Sequence, residues 1–183
     1  MTLTKNSFRQ ICLKKMKKIP KNSSIYNKNI INNLLMKELK GLNKKNILIY
    51  YPLPIEADIR KTILYLRKKN NLFIPFMENE SFKIVPFRLP LQKKKFGIYE
   101  AGNSFKKINN IDIAIVPVVG VDGNLQRIGF GRGMYDRFFS KLKKRPYTIF
   151  TQAKICFTKE YICDHYDVTG DMLLSTDARL IKK

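Results

Sequence analysis

Apolar side chains in the first forty residues recur at helical spacing. Residues 5–18 carry them at every third or fourth position with lysines between, which predicts an amphipathic helix that Pro20 ends. A second helix is predicted from Ser23 or Ser24 to Gly41, because serine is a good N-cap and glycine a good C-terminal stop. Its buried stripe is aliphatic: Ile30, Ile31, Leu34, Leu35 and Leu39.

Shorter runs of β-branched, aromatic and leucine residues predict strands. The first covers residues 46–51, and a helix is expected to follow over 55–69, with Glu56 and Asp58 in a first turn that favours carboxylates. Further strands are predicted at 72–76, 81–87, 111–116 and 147–151, and further helical segments at 135–144 and, for a single turn, at 158–163. This order predicts one α/β domain over residues 1–183, with a largely parallel sheet between helix layers and an antiparallel strand at 81–87.

A glycine-rich loop joins the strand at 111–116 to the helix at 135–144. Glycines alternate with other residues at Gly129, Gly131 and Gly133, and glycine lets a backbone turn through positive φ and approach an anion closely. The loop matches neither G-x-x-x-x-G-K-[ST] nor G-x-G-x-x-G. Because ligands bind at the carboxyl ends of strands in open α/β sheets, the loop predicts a phosphate site.

Composition adds a strong positive charge. The 183 residues include 36 lysines and arginines and 14 acidic residues, for a formal net charge of +22. Such a charge is typical of proteins that bind nucleic acid. The lysines are, however, spread over the whole chain, which favours ordinary solvated side chains. The three cysteines form no C-x-x-C, so free thiols, buried or incidental, are expected rather than a disulfide or a zinc site. No apolar run is long enough to span a bilayer, and a reducing cytoplasm is the expected location.

The loop also resembles a known family. Residues 127–137, Arg-Ile-Gly-Phe-Gly-Arg-Gly-Met-Tyr-Asp-Arg, are similar to the R-L-G-x-G-x-G-Y-Y-D-R signature of 5-formyltetrahydrofolate cyclo-ligases, also called methenyltetrahydrofolate synthetases. Pro117 and Asp122 match the P-x-x-x-F-D that precedes it, whereas Met134 replaces a tyrosine of the signature. Other matches extend the resemblance from residue 5 to residue 176: Lys5 and Arg9 as K-x-x-x-R, residues 50–58 with Glu56, residues 95–102, and Asp167 with Asp171.

The resemblance implies a Rossmann-like, three-layer α/β domain with a mixed, largely parallel sheet. It implies ATP-dependent cyclisation of 5-formyltetrahydrofolate, with or without a polyglutamate tail, to 5,10-methenyltetrahydrofolate, with Mg²⁺ as cofactor. Catalytic roles fall on Arg127, Arg132 and Asp136, and metal ligation on Asp136 and Asp167. The implied ATP site comprises Lys5, Arg9, Arg127, Ile128, Gly129, Phe130, Gly131, Arg132, Gly133, Met134 and Tyr135. The implied folate site comprises Tyr51, Glu56, Phe130, Gly131, Arg132, Gly133 and Met134, with Glu56 accepting N–H bonds from the pterin.

Two alternatives stay open at this point. One is a basic nucleic-acid-binding module, which leaves the glycine pattern and Asp136 unexplained. The other is a relative on the same scaffold with a changed substrate, for which Met134 leaves room. His165 is displaced by one position from the histidine of the family, because Tyr166 intervenes before Asp167, and is expected to be a surface residue. We expect a monomer that acts on small molecules, without a membrane or nucleic-acid partner.

Overall fold

The computed structural model describes residues 2–18, 24–94, 97–104, 108 and 110–182. Within them the helices are α1 (Lys5–Lys17), α2 (Ser24–Glu38), α3 (Arg60–Leu66) and α4 (Met134–Phe139). The strands are β1 (Asn46–Leu48), β2 (Asn71–Glu78), β3 (Ser81–Pro86), β4 (Gln92–Lys93), β5 (Tyr99–Glu100), β6 (Ile113–Pro117), β7 (Gly120–Val121), β8 (Arg127–Ile128), β9 (Tyr147–Thr151), β10 (Met172–Leu174) and β11 (Arg179–Ile181). Pro20, Ser23 and residues 95–96 of the sequence predictions lie outside the described residues.

Seven strands form the central sheet, in the order β11-β10-β9-β6-β1-β2-β3. The five inner strands run parallel, and the edge strands β3 and β11 are antiparallel to their neighbours. Two small hairpins, β4–β5 and β7–β8, lie outside this sheet. The predicted mixed, largely parallel sheet is therefore confirmed, including the antiparallel strand at 81–87.

Alternate residues of the inner strands enter two separate cores, because successive side chains of a strand point to opposite faces. Ile47 and Ile49 pack with α2 and α3 on one face of the sheet. Leu48 packs on the other face, in the same cluster as Phe138 of α4 and Phe150 of β9. Helices thus cover both faces, which confirms the three-layer prediction.

Several helix boundaries differ from the prediction. The helix expected over 55–69 begins only at Arg60, because a turn precedes it in which the backbone N–H of Glu56 donates to the carbonyl of Leu53 (3.0 Å). The assignment of Glu56 and Asp58 to a helical first turn is therefore wrong. α4 ends at Phe139 rather than at residue 144, since the next residues form tight turns, with Lys141 N–H donating to the carbonyl of Phe138. Residues 158–163 form no helical turn.

The cysteine prediction is also corrected. α1 packs on the β7–β8 hairpin through Phe8, Cys12 and Met16, and Cys12 forms a disulfide with Cys156. These two cysteines are 144 residues apart, so their spacing carried no signal of the bond. Cys163 is a free, half-buried thiol, as expected. No helix in the described part of the chain is long and apolar enough to cross a membrane.

Candidate active site

Two cavities lie side by side, and the larger is at the carboxyl ends of parallel strands of the central sheet. The larger has a volume of about 300 Å³ and is lined by residues that follow β1, by the middle of β2 and by Pro117 at the end of β6. The smaller has a volume of about 180 Å³ and lies between the start of α1 and the glycine loop. Arg127 and Gly133 line both cavities, so they form a wall that the two share.

Arg127 is held rigidly in this wall. It is 6% exposed, its Nε donates to the carbonyl oxygen of Pro117 (3.2 Å), and its guanidinium lies 4.6 Å from the centre of the Tyr135 ring. Burial lowers the pKa of Arg127, and the carboxylates of Asp136 and Glu56 act in the opposite direction. Because an arginine stays protonated in proteins, the wall carries a fixed positive charge.

The glycine loop needs its glycines for two different reasons. A Cβ on Gly129 would lie 2.3 Å from Nη1 of Arg127, so the close approach of the guanidinium requires a residue without a side chain. Gly133 has φ +60°, a conformation that glycine adopts at little cost, and it precedes the first residue of α4. The guanidinium of Arg137 then holds the loop by donating to the carbonyl oxygens of Arg132 (2.6 Å) and Glu80.

Lys5 and two aspartates meet in the smaller cavity. The Nζ of Lys5 lies 2.5 Å from Oδ2 of Asp167 and 3.0 Å from Oδ2 of Asp164, and the side chain of Asp167 is only 3% exposed. Burial alone would lower the pKa of Lys5, but the hydrogen bonds to the two aspartates raise it. Arg9 lines the same cavity and donates from Nε to the carbonyl of Gly129 (2.9 Å). Cations from α1 therefore lie in the same cavity as the glycine loop.

The carboxylates of this cavity suit a magnesium ion. Asp136 and Asp167 both line it, and Oδ1 of Asp136 accepts the backbone N–H of Val168 (3.2 Å). Among the described residues, no three His, Cys, Asp or Glu side chains cluster as a complete protein metal site. Mg²⁺ is usually held by one or two carboxylates together with water and substrate phosphates, so the pair fits this ion.

Asp122 fastens the segment that carries Asp167. Its side chain is fully buried, and its two oxygens accept four backbone N–H groups at 2.9–3.2 Å, those of Asn124, Gln126, Ile162 and Cys163. The match to P-x-x-x-F-D singled out Asp122, but sequence reasoning gave it no role. The structure shows that it ties the turn before β8 to the chain just ahead of Asp164.

Glu56 faces the larger cavity from the turn before α3. Its Oε2 accepts the backbone N–H of Leu53 (2.8 Å), and burial against the cavity wall raises its pKa from 4.5 to about 7. The hydrogen bond from Leu53 and the charge of Arg127 act in the opposite direction. Tyr51 lines the same cavity and packs on Tyr99, with ring centres 5.1 Å apart. The larger cavity is thus mostly apolar, and the charged side chains among its described lining residues are Glu56, Arg127 and Arg132.

The structure divides the predicted site residues between the two cavities. Besides the shared Arg127 and Gly133, the larger is lined by Tyr51, Glu56, Phe130, Arg132, Met134 and Tyr135. The smaller is lined by Lys5, Arg9, Gly129, Gly131, Asp136 and Asp167. Gly131 therefore does not line the larger cavity, where it was expected as well, and the residues 130, 132, 134 and 135 do not line the smaller. Ile128 lines neither, because its side chain is fully buried under α1 with Phe8 and Cys12.

Sequence reasoning missed a further set of lining residues. In the larger cavity these are Tyr50, Leu53, Ile74, Pro75, Met77, Phe82 and Pro117, and in the smaller Tyr166. Most are apolar residues of strands or strand ends, whose sequence pattern is that of a buried core. Ile98 and Tyr99 also line the larger cavity, and they belong to the segment 95–102 that the family resemblance covers as a border of the substrate site. Two other residues have positions outside the cavities. His165 is exposed, as expected, and Asp171 accepts the backbone N–H of Thr148 (2.7 Å).

A sequence profile of the 5-formyltetrahydrofolate cyclo-ligase family matches residues 2–175. The chain belongs to this family. A 5-formyltetrahydrofolate cyclo-ligase of Mycoplasma pneumoniae is 27% identical over 146 residues, which cover 74% of this chain and 83% of the relative. One of Haemophilus influenzae is 26% identical over 134 residues, which cover 68% and 72%.

Solved structures of the family share the fold. The 5,10-methenyltetrahydrofolate synthetase of Aquifex aeolicus superposes with a TM-score of 0.78 at 22% identity, covering 99% of this chain and 94% of that one. The cyclo-ligase signature at 127–137 can now be placed in space. Its residues form the shared wall, the glycine loop and the first turn of α4, so one continuous motif contributes to both cavities.

Proposed function

We propose that this protein catalyses the ATP-dependent cyclisation of 5-formyltetrahydrofolate to 5,10-methenyltetrahydrofolate, with release of ADP and phosphate. The observation that carries the proposal, beside family membership, is the wall shared by the two cavities. Among the described residues, Arg127 and Gly133 are those that line both cavities, so a folate in the larger and a nucleotide in the smaller would adjoin there. A reaction that moves a phosphoryl group from one ligand to the other needs this arrangement.

The chemistry has two steps. The formyl oxygen attacks the γ-phosphorus of ATP, an O–P bond forms, and the bond from the γ-phosphorus to ADP breaks. N10 then attacks the activated formyl carbon to form the new C–N bond and gives up its proton. The bond from that carbon to the formyl oxygen breaks, and phosphate leaves with this oxygen and takes the proton. The first step converts a poor leaving group into a good one, so the protein needs no covalent nucleophile. Its task is to position the ligands and offset negative charge.

Arg127 stands where negative charge develops during the transfer. Its buried, fixed guanidinium costs no reorganisation at the moment of reaction, which makes such a group effective in stabilising a transition state. Arg132 lies on the larger-cavity side of the loop, towards the acceptor, and completes the positive surface. Lys5 and Arg9 would hold the remaining phosphates from the side of α1.

Asp136 and Asp167 would hold Mg²⁺ beside those phosphates. The ion, when bound, offsets charge on the transferred phosphoryl group. Glu56 would anchor the folate, because an ionised carboxylate accepts two N–H bonds from an aminopyrimidine ring. The mostly apolar wall around it suits the rest of the pterin.

An absorbance assay tests the proposal. The protein is mixed with 5-formyltetrahydrofolate and Mg²⁺, with ATP in one sample and without it in the other, and methenyltetrahydrofolate is measured with ADP. We expect product only with ATP, and one ADP for each methenyltetrahydrofolate. Product without ATP, or ATP hydrolysis without product, would contradict the proposal. The variant Arg127→Met keeps a long apolar side chain without the charge and should abolish most of the activity.

A further inference from the structure

The nucleotide proposed above must lie in a definite direction across the smaller cavity. Its transferable phosphoryl group has to reach the wall shared with the larger cavity, at Arg127 and Gly133. The α-phosphate, the sugar and the base must therefore lead away from that wall. At about 180 Å³ the smaller cavity is below the usual range of roughly 300–1,000 Å³ for ligand pockets. It suits the phosphates, and the base would extend over its rim.

An aromatic side chain stands at this rim. Tyr166 lines the smaller cavity, is 62% exposed, and is the one aromatic residue among the described residues that do so. The side chains of Asp136 and Asp167 line the same cavity, which places Tyr166 next to the proposed phosphate and metal site.

The ring of Tyr166 is held in a defined position although it is exposed. Its hydroxyl donates to Oδ2 of Asp164 (3.0 Å), the ring of His165 packs on it edge to face at 5.2 Å, and Nζ of Lys5 lies 5.6 Å from the ring centre. Lys5 and Asp164 are themselves joined by an ion pair. A flat ring that is oriented in advance loses little further freedom when a second flat ring stacks on it.

We propose that Tyr166 is a nucleotide-binding residue whose ring stacks on the base of the nucleotide. The inference rests on the nucleotide site proposed above and adds a contact for the base. Base-to-aromatic stacking tolerates any base, because each has a π-face. The stack would therefore raise the affinity for a nucleotide but would discriminate little between adenine and guanine. The residue lies outside the glycine signature, at the position where the family resemblance places a histidine before Asp167.

The test compares a ligand that has a base with one that lacks it. Binding of Mg-ATP and of magnesium tripolyphosphate is measured by calorimetry for the wild type, Tyr166→Phe, Tyr166→Ala and the control Tyr161→Ala. Tyr161 is 73% exposed and lines neither cavity. Tyr166→Ala should weaken ATP by roughly 5- to 150-fold, the range for loss of a base stack, and leave tripolyphosphate within about twofold. Tyr166→Phe keeps the ring but loses its hydrogen bond to Asp164, so it should weaken ATP far less than Tyr166→Ala does. Tyr161→Ala should bind both ligands like the wild type.

Other outcomes overturn the inference in distinguishable ways. If Tyr166→Ala weakens ATP and tripolyphosphate equally, the residue supports the phosphate site through Lys5 and does not stack on the base. If Tyr166→Ala binds ATP like the wild type, the ring of Tyr166 does not stack on the base, but the proposed nucleotide site is unaffected by this result. If the wild type binds neither ligand, the proposed function fails and the base contact fails with it. A melting curve for each variant confirms that the protein is folded.

Discussion

The Nζ atom of Lys5 lies 2.5 Å from Oδ2 of Asp167, so the first helix of the chain and a segment near its end meet inside one cavity. The two residues are 162 positions apart. Asp122 supports this contact by binding the backbone of Ile162 and Cys163, just ahead of Asp164. The smaller cavity therefore depends on the docking of α1, which is reinforced by the bond between Cys12 and Cys156.

Replacing Lys5 by methionine tests this contact. The variant keeps the aliphatic stem but leaves the carboxylate of Asp167, whose side chain is 3% exposed, without its cation. We expect a loss of about 1.5–3 kcal/mol in the free energy of unfolding, the scale for a hydrogen bond to a charged group, together with weaker ATP binding. Lys17→Met, an exposed position on the same helix, is the matched control and should melt like the wild type. Equal melting temperatures for the two variants would show that the contact contributes nothing to stability.

The metal proposal predicts a particular kinetic pattern for Asp136→Asn and Asp167→Asn. Each should lower kcat at least about tenfold and raise the Mg²⁺ concentration needed for half-maximal rate, because amides are weaker ligands for a hard cation. The KM for the folate should hardly change, since both side chains line the smaller cavity and the folate is proposed to bind in the larger. The measurement is the steady-state rate of each variant as a function of Mg²⁺ concentration. Melting curves of the same variants check that they are folded. An unshifted Mg²⁺ requirement in both variants would rule out their role as metal ligands.

Glu56→Gln should weaken the folate and spare ATP. An amide offers one acceptor oxygen instead of two and has no charge, so a loss of about 1.5–3 kcal/mol is expected for the folate alone. Calorimetric titration of each ligand measures both affinities. Equal losses for the two ligands would mean that the larger cavity is not the folate site.

The raised pKa of Glu56 adds a pH dependence with a definite sign. Only the ionised group accepts both N–H bonds, so kcat/KM for the folate should rise with pH through about 7, and this rise should be absent in Glu56→Gln. Stability changes in the opposite direction. A carboxyl whose pKa is raised on folding, here from 4.5 to about 7, favours the fold less as pH increases through that window. The melting temperature of Glu56→Gln relative to that of the wild type should therefore increase as the pH is raised from about 5 to about 8.

Gly129→Ala tests the close packing of the shared wall. The added Cβ would lie 2.3 Å from Nη1 of Arg127, so the guanidinium must leave its present position in the wall. We expect a loss of about 1–3 kcal/mol in stability, the usual cost of overpacking, and a larger relative loss of activity. Gly102→Ala is the matched control, because no atom lies within 4 Å of the position of its Cβ. Full activity in Gly129→Ala would show that the exact position of Arg127 is unimportant.

The sequence predicted most inner strands of the sheet well, because they depend on local patterns. It missed the β7–β8 hairpin between β6 and the glycine loop, and the edge strand β11. Runs such as Ile113–Pro117 are apolar at every position, which is typical of parallel strands buried on both faces. The turn that presents Glu56 was missed, since the same residues suit the start of a helix equally well. Residues such as Ile74 and Met77 could not be predicted as cavity lining, because an apolar side chain beside a cavity has the same pattern as one in a core.

Long-range pairings were beyond the reach of sequence patterns. The disulfide of Cys12 with Cys156 and the ion pair of Lys5 with Asp167 each join segments more than 140 residues apart. Only the family resemblance brought Lys5 and Asp167 to a common site before the fold was known. Asp122 is a similar case, because its four backbone hydrogen bonds become visible only when the loops around it are placed.

The fate of the formyl oxygen tests the central claim most directly. 5-Formyltetrahydrofolate labelled with ¹⁸O in the formyl group is converted with ATP and Mg²⁺, and the released phosphate is analysed by mass spectrometry. If the formyl oxygen attacks the γ-phosphorus at the wall formed by Arg127 and Gly133, each phosphate released with the product carries one ¹⁸O atom. Unlabelled phosphate, with the ¹⁸O recovered in water, would contradict phosphoryl transfer between the two cavities.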